Sequence, residues 1–248
     1  MRALRELRLK NGARARDPRL GRIAQYDIRN TEFPVRSLLG PNTAERLRSM
    51  SWQVPYHLDQ GVEGACVQYG IAHEMIASPH RVPLCTVQKL LSGNDLYYGA
   101  QKRDPWPGGA YPGADPRYEG TSVLAGMQQA KAFGFYSGYH WAFGEREVAE
   151  AVAWNGPVVI GVNWYEDMHE PSLKGRITPT GELLGGHCVL VSALNITTGM
   201  YRIRNSWGAT WGVQGNCFIA RRDLATLLRE AGSEACVPVP VDPRTLPT

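Results

Sequence analysis

Asn205-Ser206-Trp207-Gly208-Ala209-Thr210-Trp211-Gly212-Val213-Gln214-Gly215 follows directly on the strand-like run Met200–Asn205. Upstream, Gly185-Gly186-His187-Cys188-Val189-Leu190 opens a second such run, His187–Leu194. With side chains alternating along a strand, His187, Val189 and Val191 share one face, and Cys188, Leu190 and Ser192 take the other. Tyr201, Ile203 and Asn205 likewise share a face. Pairing of the two runs would bring Asn205 to His187, where an amide oxygen accepting the imidazole N–H fixes the ring and its tautomer. Taken singly, each residue has a plainer reading, a satisfied histidine and a turn asparagine.

The third member of the constellation lies far upstream, in Gln60-Gly61-Val62-Glu63-Gly64-Ala65-Cys66-Val67. After Cys66, Val67, Ile71, Met75 and Ile76 recur at helical spacing until Ser78-Pro79 stops the run. A thiol at a helix N-terminus meets free N–H groups and a partial positive charge, which favour thiolate. Cys66 alone reads more simply as a buried structural cysteine. A thiol, an imidazole and an amide in this order could supply a nucleophile, a base and an orienting group.

Around these points the chain divides into four stretches: a basic leader, 1–49; a helical lobe, 50–135; a β lobe, 136–236; and a Pro-rich tail, 237–248. Phe33-Pro34-Val35 and Leu38-Leu39-Gly40-Pro41 would anchor the leader, with a short helix near Asn42–Arg48. In the helical lobe, a second helix is expected over Leu90–Gln101. A third is expected after Thr121-Ser122, with Val123, Leu124, Met127 and Ala130 inside and Gly134 at its end. Between them, Asp104–Gly120 is a Pro/Gly/Tyr-rich loop. It lacks the Lys-Ser/Thr of a phosphate loop. Tyr97, Tyr98, Trp106, Tyr111 and Tyr118 either line a ligand surface or pack among themselves, and His57 and His73 are core or surface residues.

In the β lobe a helix near Glu145–Trp154 precedes strands Val158–Trp164, His187–Leu194, Met200–Asn205 and Asn216–Ala220. Residues 222–231 would form a last helix, and the tail from Val237 should be extended. The fold class is therefore α+β and two-lobed, with a cleft between the lobes.

The 248 residues carry a net charge of +4, distributed unevenly. Residues 1–30 hold nine Arg/Lys against Glu6, Asp17 and Asp27, a charge of +6, so the remainder carries −2. Such an arm would suit an anionic partner; a solvated or partly ordered leader is the plainer reading. Five cysteines without a Cys-x-x-Cys pair suggest neither a disulfide framework nor a zinc site, and fit a reducing compartment. No apolar run has the length of a membrane span, and the N-terminus lacks a secretory pattern. Asn195-Ile196-Thr197 carries little weight as a glycosylation acceptor without one.

Gln60-x5-Cys66, Gly186-His187 before an apolar strand, and Asn205-Ser206-Trp207-Gly208 followed by Trp211-Gly212 together resemble the papain-like cysteine peptidases, in a short-leader bacterial or phage-type form. Asn155-Gly156-Pro157-Val158-Val159 and the helix between Gly120 and Gly134 also look like segments of that family. The resemblance runs from about Trp52 to about Arg222. It implies a helical left lobe, an antiparallel β-barrel right lobe, and hydrolysis with no cofactor or metal. Cys66 would be the nucleophile, a thiolate paired with imidazolium His187. Asn205 would orient His187, and Trp207 would shield their hydrogen bond. The Gln60 side chain and the Cys66 amide would form the oxyanion hole. Gly120, Thr121 and Gly186 would hold the backbone of a peptide or protein substrate.

Three departures bear on substrate preference: Glu63 in place of a disulfide cysteine, Val67 in place of an aromatic, and Thr121 in place of a glycine. Glu63 also places a negative charge near the thiol. The leader is shorter than the inhibitory propeptides of secreted members, so no zymogen is expected. A thiol peptidase acting on peptide or isopeptide bonds leads. A papain-fold structural or binding module of a larger assembly, such as a virion, is the second reading. An acyl transferase using the same thiol is the third. The site of action would be cytoplasmic or assembly-associated.

Overall fold

The computed structural model describes residues 7–8, 14–15, 17–40 and 47–242. The helix expected near Asn42–Arg48 falls largely outside them. Strands β1 (Leu7–Arg8) and β2 (Arg14–Ala15) pair with each other. Val35 is fully buried, and Leu38 and Leu39 pack beside it, so the leader is anchored where its apolar residues stand.

The helical lobe holds α1 (Cys66–Ile76), α2 (Leu84–Ser92), α3 (Asp95–Gln101) and α4 (Val123–Ala132). The single helix expected over Leu90–Gln101 is two: Asn94 adopts a left-handed conformation at φ 53° and breaks it. Helix α1 is buried on almost every face, which suits a helix wedged between lobe and sheet. Its polar side chains are bonded: Gln68 accepts from the Tyr97 amide, His73 from the Leu58 amide, and Glu74 from the Tyr136 hydroxyl. A Cβ at Gly70 would lie 2.9 Å from Cys188 Sγ, so a glycine there lets α1 approach the sheet closely.

Ser122 caps α4 by accepting from the Ala125 amide at 3.1 Å, and its Oγ also lies 2.8 Å from Asp104. Ser122→Ala should lower unfolding free energy by about 1–2 kcal/mol, read from the urea midpoint. An unchanged midpoint would remove the cap from the account of α4.

The β lobe contains β3 (Met50–Ser51), β4 (Tyr136–Trp141), β5 (Val158–Tyr165), β6 (Leu183–Asn195), β7 (Met200–Arg204), β8 (Asn216–Ala220) and β9 (Glu234–Pro240). The order is β4-β9-β5-β6-β7-β8, with β3 beside β6, and every pairing is antiparallel. Helices α5 (Glu145–Trp154), α6 (Glu166–His169) and α7 (Arg221–Arg229) complete it. Val189 and Val191 of β6 face one apolar core with Ile160, Val152 and Leu227, while Cys188 and Leu190 face a second core with Ile71 and Met127. Alternation over Cys188–Val191 thus serves both cores, before the register shifts between Val191 and Ala193.

Strand β9 crosses position 236/237. Its prolines, Pro238 and Pro240, pair only with β4, beyond the stretch shared with β5, where a missing N–H would break a ladder on both sides.

Candidate active site

Cys66 is the first residue of α1, and its side chain is wholly buried. His187 lies in β6, and Asn205 follows β7. His187 Nε2 donates to Asn205 Oδ1 at 2.8 Å, so that nitrogen carries the proton. Nδ1, buried and without a hydrogen-bond partner, keeps a free lone pair. The Ser206 amide also donates to Asn205 Oδ1, at 2.8 Å, which holds the amide in place. The Trp207 and Trp164 rings lie 4.9 and 4.8 Å from the imidazole, between centroids, and keep water from the bond.

Gln60 is tied to the same turn. Its amide donates to the Ser206 carbonyl at 2.9 Å, and its Oε1 accepts from Ser206 Oγ at 2.6 Å. That leaves Nε2 to donate to the Glu63 carbonyl at 2.7 Å and to the Arg19 carbonyl at 3.0 Å. The structure therefore groups Gln60, His187, Asn205 and Trp207, and brings the Cys188 amide onto the Cys66 sulfur.

The leader supplies the remaining contacts. Leu20-Gly21-Arg22-Ile23 runs through the cleft as a strap. The Arg22 amide donates to the Gly186 carbonyl at 3.1 Å. The Thr121 amide donates to the Gly21 carbonyl, and the Ile23 amide to the Thr121 carbonyl, both at 3.0 Å. The Gly21 amide lies close enough to the Cys66 sulfur to favour its thiolate. Both backbone bridges, Gly21 with Gly186 and Arg22 with Thr121, are parallel. A Cβ at Gly21, Gly120 or Gly186 would collide with the facing backbone, so these glycines make the approach possible. Arg19 stacks on Trp207, 3.9 Å from the ring centroid, and is held by Asp17 at 2.7 Å and His169 at 3.1 Å. The expectation of a solvated leader fails for Leu20, Gly21 and Arg22, which are buried. Arg19 and Arg22 are drawn into the cleft by hydrogen bonds to its backbone and side chains, and Arg29 pairs with Asp27.

Charge states follow from this closure. Burial pushes the Cys66 thiol up to about 11, against the opposing pull of the Cys188 and Gly21 amides. Burial lowers His187 to about 4, with the Asn205 bond opposing it. Burial thus favours the uncharged form of each group, the thiol and the neutral imidazole, over the expected thiolate and imidazolium. The Glu63 carboxyl is itself raised by burial and by Glu119.

Several residues at the site had no distinctive sequence signal. Tyr97 accepts from the Gly120 amide at 2.6 Å and donates to Glu119 at 3.0 Å, which fixes the glycine beside the strap. Gln101 donates to the Gly120 carbonyl at 2.9 Å. Tyr98 and Tyr111 pack edge to face, as plain aromatic packing would have it. Ser206 stood inside the quoted Asn205–Gly208 motif, yet its bond to Gln60 needs the fold. No group of three metal-binding side chains occurs among the described residues, and no described helix is long and apolar enough to cross a membrane.

A two-lobed cleft with cysteine at the start of a helix, histidine on a sheet and asparagine just after its next strand defines a class of protein, and comparison with known proteins agrees. A sequence profile described as "Papain family cysteine protease" matches residues 97–235, more than half of the chain. The chain belongs to the papain family of cysteine proteases. It is similar to a crystal structure of xylellain, a cysteine protease from Xylella fastidiosa, with a TM-score of 0.68 and 18% identity over 92% of this chain and 98% of that one. Procathepsin L2 from the Tenebrio molitor larval midgut gives a TM-score of 0.54 and 22% identity over 89% and 78%. At these identities the likeness is one of fold. Among curated relatives, cathepsin B of Dictyostelium discoideum is 30% identical over 81 residues, 32% of this chain and 26% of that protein. Cathepsin B-like cysteine proteinase 5 of Caenorhabditis elegans is 28% identical over 77 residues, 30% and 22%. The matched stretch thus spans about a quarter of each curated relative.

Proposed function

We propose that this chain is a thiol peptidase that hydrolyses peptide or isopeptide bonds and is held closed by its own leader. The observation that carries the reading is the Arg19 carbonyl resting on Gln60 Nε2 while the neighbouring strap crosses the Cys66 sulfur. A peptide is already bound through the groups that a substrate would use. Once the strap leaves, His187 Nδ1 takes the Cys66 proton and the thiolate attacks the substrate carbonyl carbon. Gln60 Nε2 and the Cys66 amide then hold the oxyanion, each such donor lowering the barrier by roughly 3 kcal/mol. Imidazolium protonates the departing amine as the C–N bond breaks, leaving a thioester on Cys66. His187 next removes a proton from water, which attacks the thioester and frees the acid and the thiol. An amine in place of that water would make the same intermediate a transferase's.

The test is labelling by a peptidyl electrophile in a Cys85→Ser background, because Cys85 is the exposed cysteine. The adduct should map to Cys66 by mass spectrometry and vanish in Cys66→Ala. Adducts spread over Cys188, Cys217 and Cys236 at equal rates would overturn the assignment. The wholly buried Cys66 also suits a second reading, a structural or binding module with a sealed cleft. That reading requires Cys66 to stay unlabelled even when the strap is displaced.

A further inference from the structure

Thr121 stands where the resemblance puts a glycine, and its hydroxyl has a partner of its own. Thr121 Oγ1 donates to Asp104 Oδ2 at 2.7 Å, and both residues are buried. The other carboxylate oxygen takes the next residue. The Ser122 amide donates to Asp104 Oδ1 at 3.2 Å, and Ser122 Oγ lies 2.8 Å from it. Asp104 itself sits in the turn that leaves α3, with its amide donating to the Ala100 carbonyl at 3.0 Å. The carboxylate is thus fixed to the end of a helix.

Asp104 completes a set. Tyr97, Gln101 and Asp104 follow one another at intervals of four and three residues, the spacing that lines up one face of a helix. Tyr97 Oη accepts from the Gly120 amide at 2.6 Å, and Gln101 Nε2 donates to the Gly120 carbonyl at 2.9 Å. Both backbone groups of Gly120 are therefore engaged within the helical lobe. Thr121 is the reverse case. Its amide donates to the Gly21 carbonyl and its carbonyl accepts from the Ile23 amide, both at 3.0 Å. Its backbone serves the strap while its side chain is held by Asp104.

We propose that Asp104 is a positioning residue for the substrate backbone: it grips the Thr121 side chain and so aims the Thr121 amide and carbonyl at an extended peptide in the cleft. The inference rests on the peptidase reading and names the residue that sets its backbone clamp. A glycine at this position would offer no handle, and the threonine hydroxyl supplies one. Hydrogen bonds to a carboxylate are roughly twice as strong as those to a neutral acceptor, so the grip is firm. Burial adds to it, because a buried carboxylate that loses a donor is left undersatisfied. Strap and substrate draw on the same Thr121 amide and carbonyl, so loosening Thr121 acts on both. It releases the strap, and it weakens the hold on an incoming peptide. These are effects of opposite sign on reaction at Cys66.

The test compares two electrophiles on the full chain: iodoacetamide, which carries no peptide chain, and a dipeptidyl epoxide, whose backbone reaches Thr121. Adducts at Cys66 are timed by mass spectrometry in the wild type, in Asp104→Asn and in Thr121→Val. Iodoacetamide should react about threefold to tenfold faster in both variants, because the strap opens more easily. The epoxide rate divided by the iodoacetamide rate should fall by at least about tenfold, because the clamp is misaimed. Thr121→Ser, which keeps the hydroxyl, should return that ratio towards the wild-type value. A role for Asp104 in stability alone would speed both reagents alike. An unchanged ratio in a folded variant would therefore overturn the clamp and leave the peptidase reading standing. Thr121→Val keeps the shape of the side chain and decides the matter even if Asp104→Asn fails to fold. Reaction of Cys66 with iodoacetamide but never with the epoxide, in the wild type or in Gly21→Val, would overturn both.

Discussion

Replacing Gly21 with valine should speed alkylation of Cys66 by about tenfold to hundredfold. A Cβ at this position overlaps the Gly64 carbonyl, which is backbone and cannot rotate away. Overpacking of this kind costs about 1–3 kcal/mol, and each 1.4 kcal/mol is tenfold in the open population. The strap is the part that yields, because Gly64 is continuous with α1 through Ala65, whereas the strap is a segment outside any helix or long strand, held by backbone bonds and the side chains of Leu20 and Arg22. The pH profile should move as well. Burial is what raises the thiol, so water entering the open cleft lowers its pKa and shifts half-maximal alkylation to lower pH. Iodoacetamide rates at several pH values, read at Cys66 by mass spectrometry, check both effects. An unchanged rate and an unchanged midpoint in a folded Gly21→Val protein would mean that the strap does not guard the thiol.

In that opened background, His187→Ala should lower kcat/KM on a fluorogenic peptide by about 10⁴–10⁶, the scale on which a nucleophile's base is removed from comparable triads. Nδ1 is the lone pair of the imidazole that the protein leaves unengaged, since Nε2 is taken by Asn205. Asn205→Ala should cost less, since the ring remains but its tautomer and angle are released. Both variants need a urea midpoint, because truncating His187 leaves a void between Trp164 and Trp207. Activity within tenfold of the parent in a folded His187→Ala protein would remove the histidine from the mechanism.

The neighbourhood of Cys66, His187 and Asn205 was legible because short patterns set its geometry. Two-residue alternation put His187 and Asn205 on matching faces of strands that pair. The helical spacing after Cys66 put the thiol at a helix start. Gln60 was found by resemblance, and its bond to Ser206 joins residues 146 positions apart, which no local pattern carries. Strand β9 was read only as an extended tail because prolines argue against a paired strand, and only the one-sided pairing at Pro238 and Pro240 permits it. The strap was missed for a related reason. Arg19 to Ile23 show no periodicity, and their partners, Thr121, Gly186 and Trp207, lie far along the chain. Charge counting gave those arginines to solvent or to an anionic partner, whereas the fold brings a buried acceptor to Arg22 and an aromatic face to Arg19.

The strap is covalently part of the chain it closes, and that fixes how the block behaves with dilution. A tethered segment meets its cleft at an effective concentration on the order of millimolar, whatever the concentration of the protein. Its contacts can therefore be weak one by one and still keep the cleft filled. A free peptide of the same sequence would inhibit poorly in trans, and a substrate must bind well enough to outcompete a ligand that never diffuses away. Cutting the chain between the strap and its anchor at Val35 would abolish that advantage at once, turning a resident ligand into one that dilution removes.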